Sequence, residues 1–295
     1  MTTQIDTSTP SHVRHRHGVS STLIGTAAVI ILGLCVAASI LFAISVKGGT
    51  SFVPTSSTAH TQFPVGVPSS VEPSGYAPPG AQSLPGFSQS YVSDFKGSSL
   101  PAGWNVFTGI PAGDPGGQFG AQHVVVTNGL LELNTWRDPA YQNRWVTGGL
   151  CQCELGKTYG AYFVRSRITG PGPNEVELLW MKNNTWPPEI DFNETGGGVA
   201  GTSSTIHWSP INQIDQRHVA INMQRWHTWG LIWTPKTVTY LVDGQVWGVI
   251  SSATEITRQP MTLDFEQRAL CGVGLQCPTR PVSMLIDWVA EYNPK

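Results

Sequence analysis

His123-Val124-Val125-Val126-Thr127-Asn128-Gly129-Leu130-Leu131-Glu132-Leu133-Asn134-Thr135 reads as two β-strands joined by a two-residue turn. Asn and Gly both tolerate positive φ, which a type I′ hairpin turn demands at both central positions. A second hairpin has the same form, with Thr237 to Val242 and Gln245 to Ile250 flanking Asp243-Gly244. Outward from these, Tyr159 to Thr169, Val176 to Met181, Glu189 to Glu194, Met261 to Gln267 and Ser283 to Tyr292 read as further strands. None of these segments sustains a helical period. Many short strands separated by Gly, Pro and Asn turns indicate an all-β chain folded as a β-sandwich, here of the jelly-roll type.

One strand concentrates charge. Glu189-Ile190-Asp191-Phe192-Asn193-Glu194 carries three carboxylates in a chain with only 12% charged residues. Side chains alternate along a strand, so Glu189 and Asp191 share a face while Ile190 points into the core. Glu194 lies at the wrong parity for that face. A β-bulge at Phe192-Asn193 restores the parity and brings all three acids together. Neighbours on one face stand roughly 6–7 Å apart along a strand. Pleat and bulge shorten this toward the roughly 5–5.5 Å between the carboxyl groups of a retaining glycosidase.

Such an enzyme needs one ionised carboxylate to attack the anomeric carbon and one protonated carboxyl to donate to the leaving oxygen. Crowded like charges push pKa values apart and keep one group protonated near neutral pH. A third acid can hydrogen-bond the nucleophile and help set that division. A solvated acidic turn or part of a calcium site is the plainer alternative. The apolar partners Ile190 and Phe192 and the Trp-rich approach to the cluster weigh against it.

At these residues the chain resembles glycoside hydrolase family 16, whose signature is E-I-D-x-x-E; the bulged form is similar to that of its laminarinase-like branch. Four further segments resemble family strands in the same order: Tyr159 to Arg167, Trp226 to Pro235, Tyr240 to Gly244, and Met284 to Val289. The resemblance covers roughly residues 92 to 293. It implies a concanavalin-like jelly roll with the acids on a concave face. It also implies Glu189 as nucleophile, Asp191 as assisting carboxylate and Glu194 as general acid/base. The reaction implied is endo-hydrolysis of a β-linked polysaccharide with retention, on β-1,3- or mixed-linkage glucan by analogy with the laminarinase branch. Some relatives transfer the glycosyl group to another sugar, so a transglycosylase acting on the cell's own wall or capsule is a second possibility. A non-catalytic glycan-binding module is a third, disfavoured because all three acids are present.

The chain departs from the family pattern in three places. Asn193 stands where the laminarinase branch usually has Met, and Pro187-Pro188 precede the first Glu where Gly is common. Asn174-Glu175-Val176-Glu177-Leu178-Leu179-Trp180 replaces an aromatic-rich stretch. These changes leave the acids intact and bear on the substrate.

Composition divides the chain of 295 residues into segments. Residues 1–22 read as a short cytoplasmic tail. Leu23 to Val46 is an uncharged, mainly apolar run of 24 residues, long enough for a bilayer-spanning helix and longer than the apolar core of most secretory signals. Arg14 and Arg16 precede it, against Lys47 after it, which orients the C-terminal part outward. The expectation is a membrane anchor with an extracytoplasmic catalytic domain, or, if the run is a cleaved signal, a secreted one. Residues 47–91, rich in Pro, Ser and Gly, read as a flexible linker, and 92–295 as the sandwich domain. From residue 50 onward there are 14 Lys and Arg against 18 Asp and Glu, a net of −4. With no basic tract, nucleic acid is not an expected partner, and a neutral glycan suits the surface better than a heavily sulfated one. A monomer is expected.

Cys151, Cys153, Cys271 and Cys277 form an even set in a domain expected to be exported, which suggests disulfides. Four cysteines allow three connectivities; a Cys271–Cys277 clip of a short loop is favoured. Their spacing argues against zinc. No cofactor is required by this chemistry, and no ligands for a structural calcium ion can be assigned.

All 11 Trp lie between Trp104 and Trp288. Trp229, Trp233 and Trp288 sit in alternating strands and read as core. Trp180 and Trp186 bracket the approach to the acids and read as sugar-stacking groups. His207 and Trp208 are further substrate-binding candidates, while His227 reads as structural.

Overall fold

The computed structural model describes residues 63–271 and 277–295. Its strands are, in chain order, β1 (Val67–Pro68), β2 (Tyr76–Ala77), β3 (Phe87–Ser93), β4 (Asn105–Val106), β5 (Val124–Thr127) and β6 (Leu130–Asp138). Then come β7 (Arg144–Val146), β8 (Gly149–Cys151), β9 (Gly160–Ile168), β10 (Asn174–Met181), β11 (Glu189–Glu194) and β12 (Gly201–His207). The last six are β13 (Ile214–Ala220), β14 (His227–Trp233), β15 (Val238–Val242), β16 (Gln245–Ile250), β17 (Met261–Arg268) and β18 (Val282–Pro294).

Two sheets stack. One runs β13-β12-β11-β10-β17-β8-β4, and the other β16-β15-β14-β9-β18-β6-β5 with β3 added beside β18. Every pairing between these strands is antiparallel, including the sequence-distant neighbours β10–β17, β9–β18 and β9–β14. Both expected hairpins form. Asn128 and Gly129 have φ of 52° and 74°, and Asp243 and Gly244 of 47° and 75°, the left-handed values a type I′ turn requires.

The main core lies between the sheets. Leu179, Ile190, Phe192, Ile206 and Phe265 from the first sheet belong to one cluster with Val164, Trp229, Leu231, Trp233 and Ile286 from the second. Trp229, Trp233 and Trp288 are fully buried, as their strand positions predict. A second cluster, including Phe163, Leu241, Trp288 and Tyr292, covers the opposite face of the second sheet.

That second cluster corrects the linker boundary. Residues 63–91 are built into the domain: Leu84 belongs to the outer cluster, Phe63 and Phe87 pack against it, and β3 pairs with β18. The Trp288 indole donates to the Tyr76 carbonyl at 2.8 Å, and the Ser74 amide to Asp287 at 3.0 Å. The stretch has few charges and many prolines, so composition alone resembles a spacer; its apolar residues are too sparse to show a period. The sheet face it covers supplies the missing context. Residues 47–62, the tail 1–22 and the expected span 23–46 lie outside the described residues, among which no helix is long and apolar enough to cross a membrane.

Cys151 is bonded to Cys153 and Cys271 to Cys277, with Cα separations of 5.0 and 4.8 Å, inside the usual disulfide range.

Candidate active site

Strand β11 lies inside its sheet, paired with β10 on one side and β12 on the other. Ile190 and Phe192 are fully buried in the core between the sheets. Across from β11, Leu178 pairs with Asp191 but Glu177 pairs with Asn193, leaving Phe192 as the extra residue. On the other side Asp191 faces Thr205 and Glu194 faces Ser203, so the register slips at the same place. Glu194 pairs with Val176, two residues from Leu178 on β10, and therefore shares the face of Asp191. A slip of the whole strand by one residue would drive the acids into the core and expel Ile190 and Phe192, whose burial contributes roughly 1.5–3 kcal/mol each.

Each acid has its own partner. The Trp186 indole donates to Glu189 Oε2 at 2.8 Å. The Asn174 amide donates to Glu194 Oε1 at 2.9 Å, while its own oxygen accepts from the Gly196 amide at 2.7 Å. His207 Nε2 stands 3.4 Å from Asp191 Oδ2, and its Nδ1 is 2.6 Å from Asn212 Oδ1. The remaining Asp191 oxygen, Oδ1, is buried without a hydrogen-bond partner in the protein.

These surroundings set the proton affinities. Burial, then the Asp191 charge, push Glu189 well above the usual carboxylate range, against the pull of the His207 charge and the Trp186 N–H. Burial and Asp191 likewise push Glu194 up to about 7, with Asn174, His207 and Arg268 acting the other way. Burial alone would lower His207, but the hydrogen bond and charge of Asp191, the charge of Glu189 and the Asn212 contact carry it up to about 9. Glu189, Glu194 and His207 therefore do not titrate independently of one another.

Beside the acids runs an open groove of ≈ 480 Å³. Trp180, the cross-strand partner of Glu189, lies on its wall with Phe107, Ile110 and Phe119; Asp264, Glu266 and Arg268 add polar groups. Burial and the neighbouring Glu266 raise Asp264 well above its ordinary value, and Arg268 pairs with Glu266 at 2.6 Å. The groove thus combines aromatic walls with few net charges. No group of three or more His, Cys, Asp or Glu side chains arranged to hold a metal ion occurs among the described residues.

The expected substrate-binding residues separate. Trp180 lines the groove, Trp186 and His207 contact Glu189 and Asp191, and the rings of Trp186 and His207 lie 5.9 Å apart. Trp208 follows His207 beyond the end of β12 and, partly buried, packs against the interior cluster. His227 is bound to Asp243 at 2.7 Å and to the Asn222 carbonyl at 3.1 Å, consistent with a structural part. Asn174, Asn212 and Arg268 escaped the sequence reading. Asn174 reaches Glu194 across 20 positions of sequence, which no local pattern reveals.

Two antiparallel sheets carrying a row of carboxyl groups beside an open, aromatic-walled groove define a carbohydrate-cleaving sandwich enzyme. Residues 117–273 match the model of glycosyl hydrolases family 16, so the chain belongs to that family and is a glycoside hydrolase. No curated protein sequence matches the chain. Among solved structures, the catalytic domain of an endo-1,3-β-glucanase (laminarinase) from Thermotoga petrophila RKU-1 is 18% identical, with TM-score 0.62 over 71% of this chain and 98% of that one. The laminarinase from Rhodothermus marinus is 17% identical, with TM-score 0.64 over 71% and 98%. The non-specific endo-β-1,3(4)-glucanase SCLam is 18% identical, with TM-score 0.64 over 80% and 97%. At these identities the likeness establishes the fold.

Proposed function

We propose that this protein is a retaining endo-β-glycanase acting on β-1,3- or mixed-linkage glucan. The observation that carries the reading is the unequal partnering of three carboxyl groups on one strand face. The Trp186 indole can only donate, so it pulls Glu189 toward the ionised form that a nucleophile must have, against the burial and the Asp191 charge that push the other way. Glu194, pushed up to about 7, retains a proton into the neutral range, as a general acid must. Glu189 would attack the anomeric carbon while Glu194 gives its proton to the leaving oxygen. Glu194 would then take a proton from water, which attacks the glycosyl ester and frees Glu189. Asp191, between them, would help keep one of the two acids protonated, and His207 beside it would balance the negative charge of the site.

The glucan preference is supported by the groove and by the printed activities of the structural neighbours. An open groove admits an internal stretch of polymer, and the rings of Trp180 and Trp186 offer stacking surfaces for sugar faces. Two disulfides suit an exported domain. We therefore also propose that residues 23–46 anchor it, with catalysis outside the cytoplasm.

The test incubates the full chain with β-1,3-glucan, mixed-linkage glucan, galactans and sulfated galactans, beside a Glu189→Gln control, and sizes the products. Shortened oligosaccharides from a β-glucan, absent in the control and first released with β-anomeric configuration, are expected. Equal products from the control would overturn the assignment of Glu189. Inversion at the anomeric carbon would overturn the retaining mechanism, and cleavage of galactans alone would overturn the glucan preference.

A further inference from the structure

The bulge that unites the three acids is held from the side facing away from the substrate. Glu177 on β10 and Asn193 on β11 are cross-strand partners at the point where the ladder slips. Both are buried. A Glu at that depth is costly without partners, since a buried carboxyl must be neutral or fully hydrogen-bonded. Glu177 accepts a short hydrogen bond from the Ser166 hydroxyl, on β9 of the opposite sheet, and lies against the Asn193 side chain. Burial pushes it up to about 8, against the pull of Ser166 and Asn193, so the neutral form predominates at pH 7 and below. Asn193 Oδ1 accepts in turn from the Thr202 hydroxyl at 2.7 Å, and Ser204 donates to the Phe192 carbonyl at 2.9 Å. Both residues of the bulge are therefore tied to β12, and Glu177, the cross-strand neighbour of Asn193, is tied to the second sheet by Ser166 while its other oxygen is buried without a hydrogen-bond partner.

We propose that Glu177, through Asn193, is a positioning residue: it clamps the bulge from the core side and so sets where Glu194 stands relative to Glu189. A bulge removes ladder bonds and leaves its extra residue without a regular partner, so side chains must supply the missing restraint. Glu194 follows Asn193 directly, so a shift of the bulge moves its carboxyl. The two residues are also two of the chain's departures from the family pattern, and they face each other. Replacing only one sets an apolar side chain against the other's buried polar group, whereas replacing both removes that mismatch and leaves only the small hydroxyls of Ser166 and Thr202 to find other acceptors. The claim rests on the reading of Glu194 as general acid/base.

The test compares the full-length protein with Asn193→Met, Glu177→Leu, the double variant, Glu177→Gln and Thr202→Val, with Glu194→Ala as a control. Two β-glucan substrates are used: the polymer, whose leaving oxygen needs a proton, and a 2,4-dinitrophenyl β-glucan oligosaccharide, whose leaving group does not. The clamp predicts that Asn193→Met and Glu177→Leu lower kcat/KM on the polymer about tenfold or more. On the dinitrophenyl substrate they should change it less than about threefold, and Thr202→Val should show a milder form of the same split. Glu177→Gln should retain activity, and the double variant should recover most of it. Equal losses on both substrates, or a lower Tm with unchanged polymer kinetics, would overturn the clamp. If Glu194→Ala shows no split, the acid/base reading itself falls. Crystal structures then judge the clamp alone: a Glu194 carboxyl that has not moved in Asn193→Met overturns it.

Discussion

The indole N–H of Trp186 points at Oε2 of Glu189 across 2.8 Å, from a side chain that is 39% exposed. One residue thus combines a face that a sugar can stack on with a donor for the nucleophile. Trp186→Phe keeps most of the ring and deletes the donor. The lost bond had lowered the proton affinity of Glu189, so the acidic limb of kcat/KM should move to higher pH. A hydrogen bond to a charged group contributes about 1.5–3 kcal/mol, and partial exposure reduces this, so a loss of about tenfold at the optimum is expected. An unmoved acidic limb in the pH–rate profile would show that Trp186 serves stacking alone.

Asn174 acts on the other limb. Its hydrogen bond lowers the proton affinity of Glu194, which nevertheless stands at about 7. Activity that requires protonated Glu194 should fall as pH rises through that value. Asn174→Leu removes the lowering contact, so the alkaline limb should move to higher pH while the maximum rate drops severalfold from poorer positioning. A limb that stays put, measured on the polymer, would separate Asn174 from the acid.

His207 couples stability to pH. Its folded-state pKa is carried from the usual 6.5 up to about 9 by Asp191, Glu189 and Asn212. A raised pKa means that its stabilisation is complete below about 6.5 and is lost as pH rises through about 9. The stability difference between the native protein and His207→Gln, about 1–3 kcal/mol at acidic pH, should shrink over that interval. Denaturant titrations at pH 6 and pH 9.5 test this, and a difference independent of pH would refute the charged pair.

Leu84 decides between spacer and domain for the stretch before β3. It is 4% exposed and belongs to the cluster on the outer face of the second sheet. Leu84→Ala should cost about 2–5 kcal/mol. Tm should then fall by roughly 5–15 °C, whereas a substitution in a solvated linker would leave it within about 1–2 °C. Differential scanning calorimetry distinguishes the two.

Much of the architecture was legible because it rests on local rules. Asn128-Gly129 and Asp243-Gly244 demand left-handed turns, and the alternation in β9, β14 and β18 assigns Trp229, Trp233 and Trp288 to the interior. The parity of Glu189, Asp191 and Glu194 requires an odd residue between the last two, and the ladder slips at Phe192. Strands β12 and β13 were not legible. Thr202, Ser203, Ser204 and Thr205 look like a loop by composition, yet they pair with β11 and put His207 beside Asp191.

Period, parity and turn chemistry act between neighbours in the chain, so the sequence by itself determined the all-β class, the two hairpins and the common face of the three acids. What surrounds those acids depends on which strands become neighbours. Asn174 meets Glu194, Glu177 meets Asn193 and Ser166, and residues 63–91 fold onto a sheet made mostly of much later strands. Only tertiary structure decides such contacts. Each closes a long loop whose entropy cost is repaid by burial and by hydrogen bonds that no local pattern encodes.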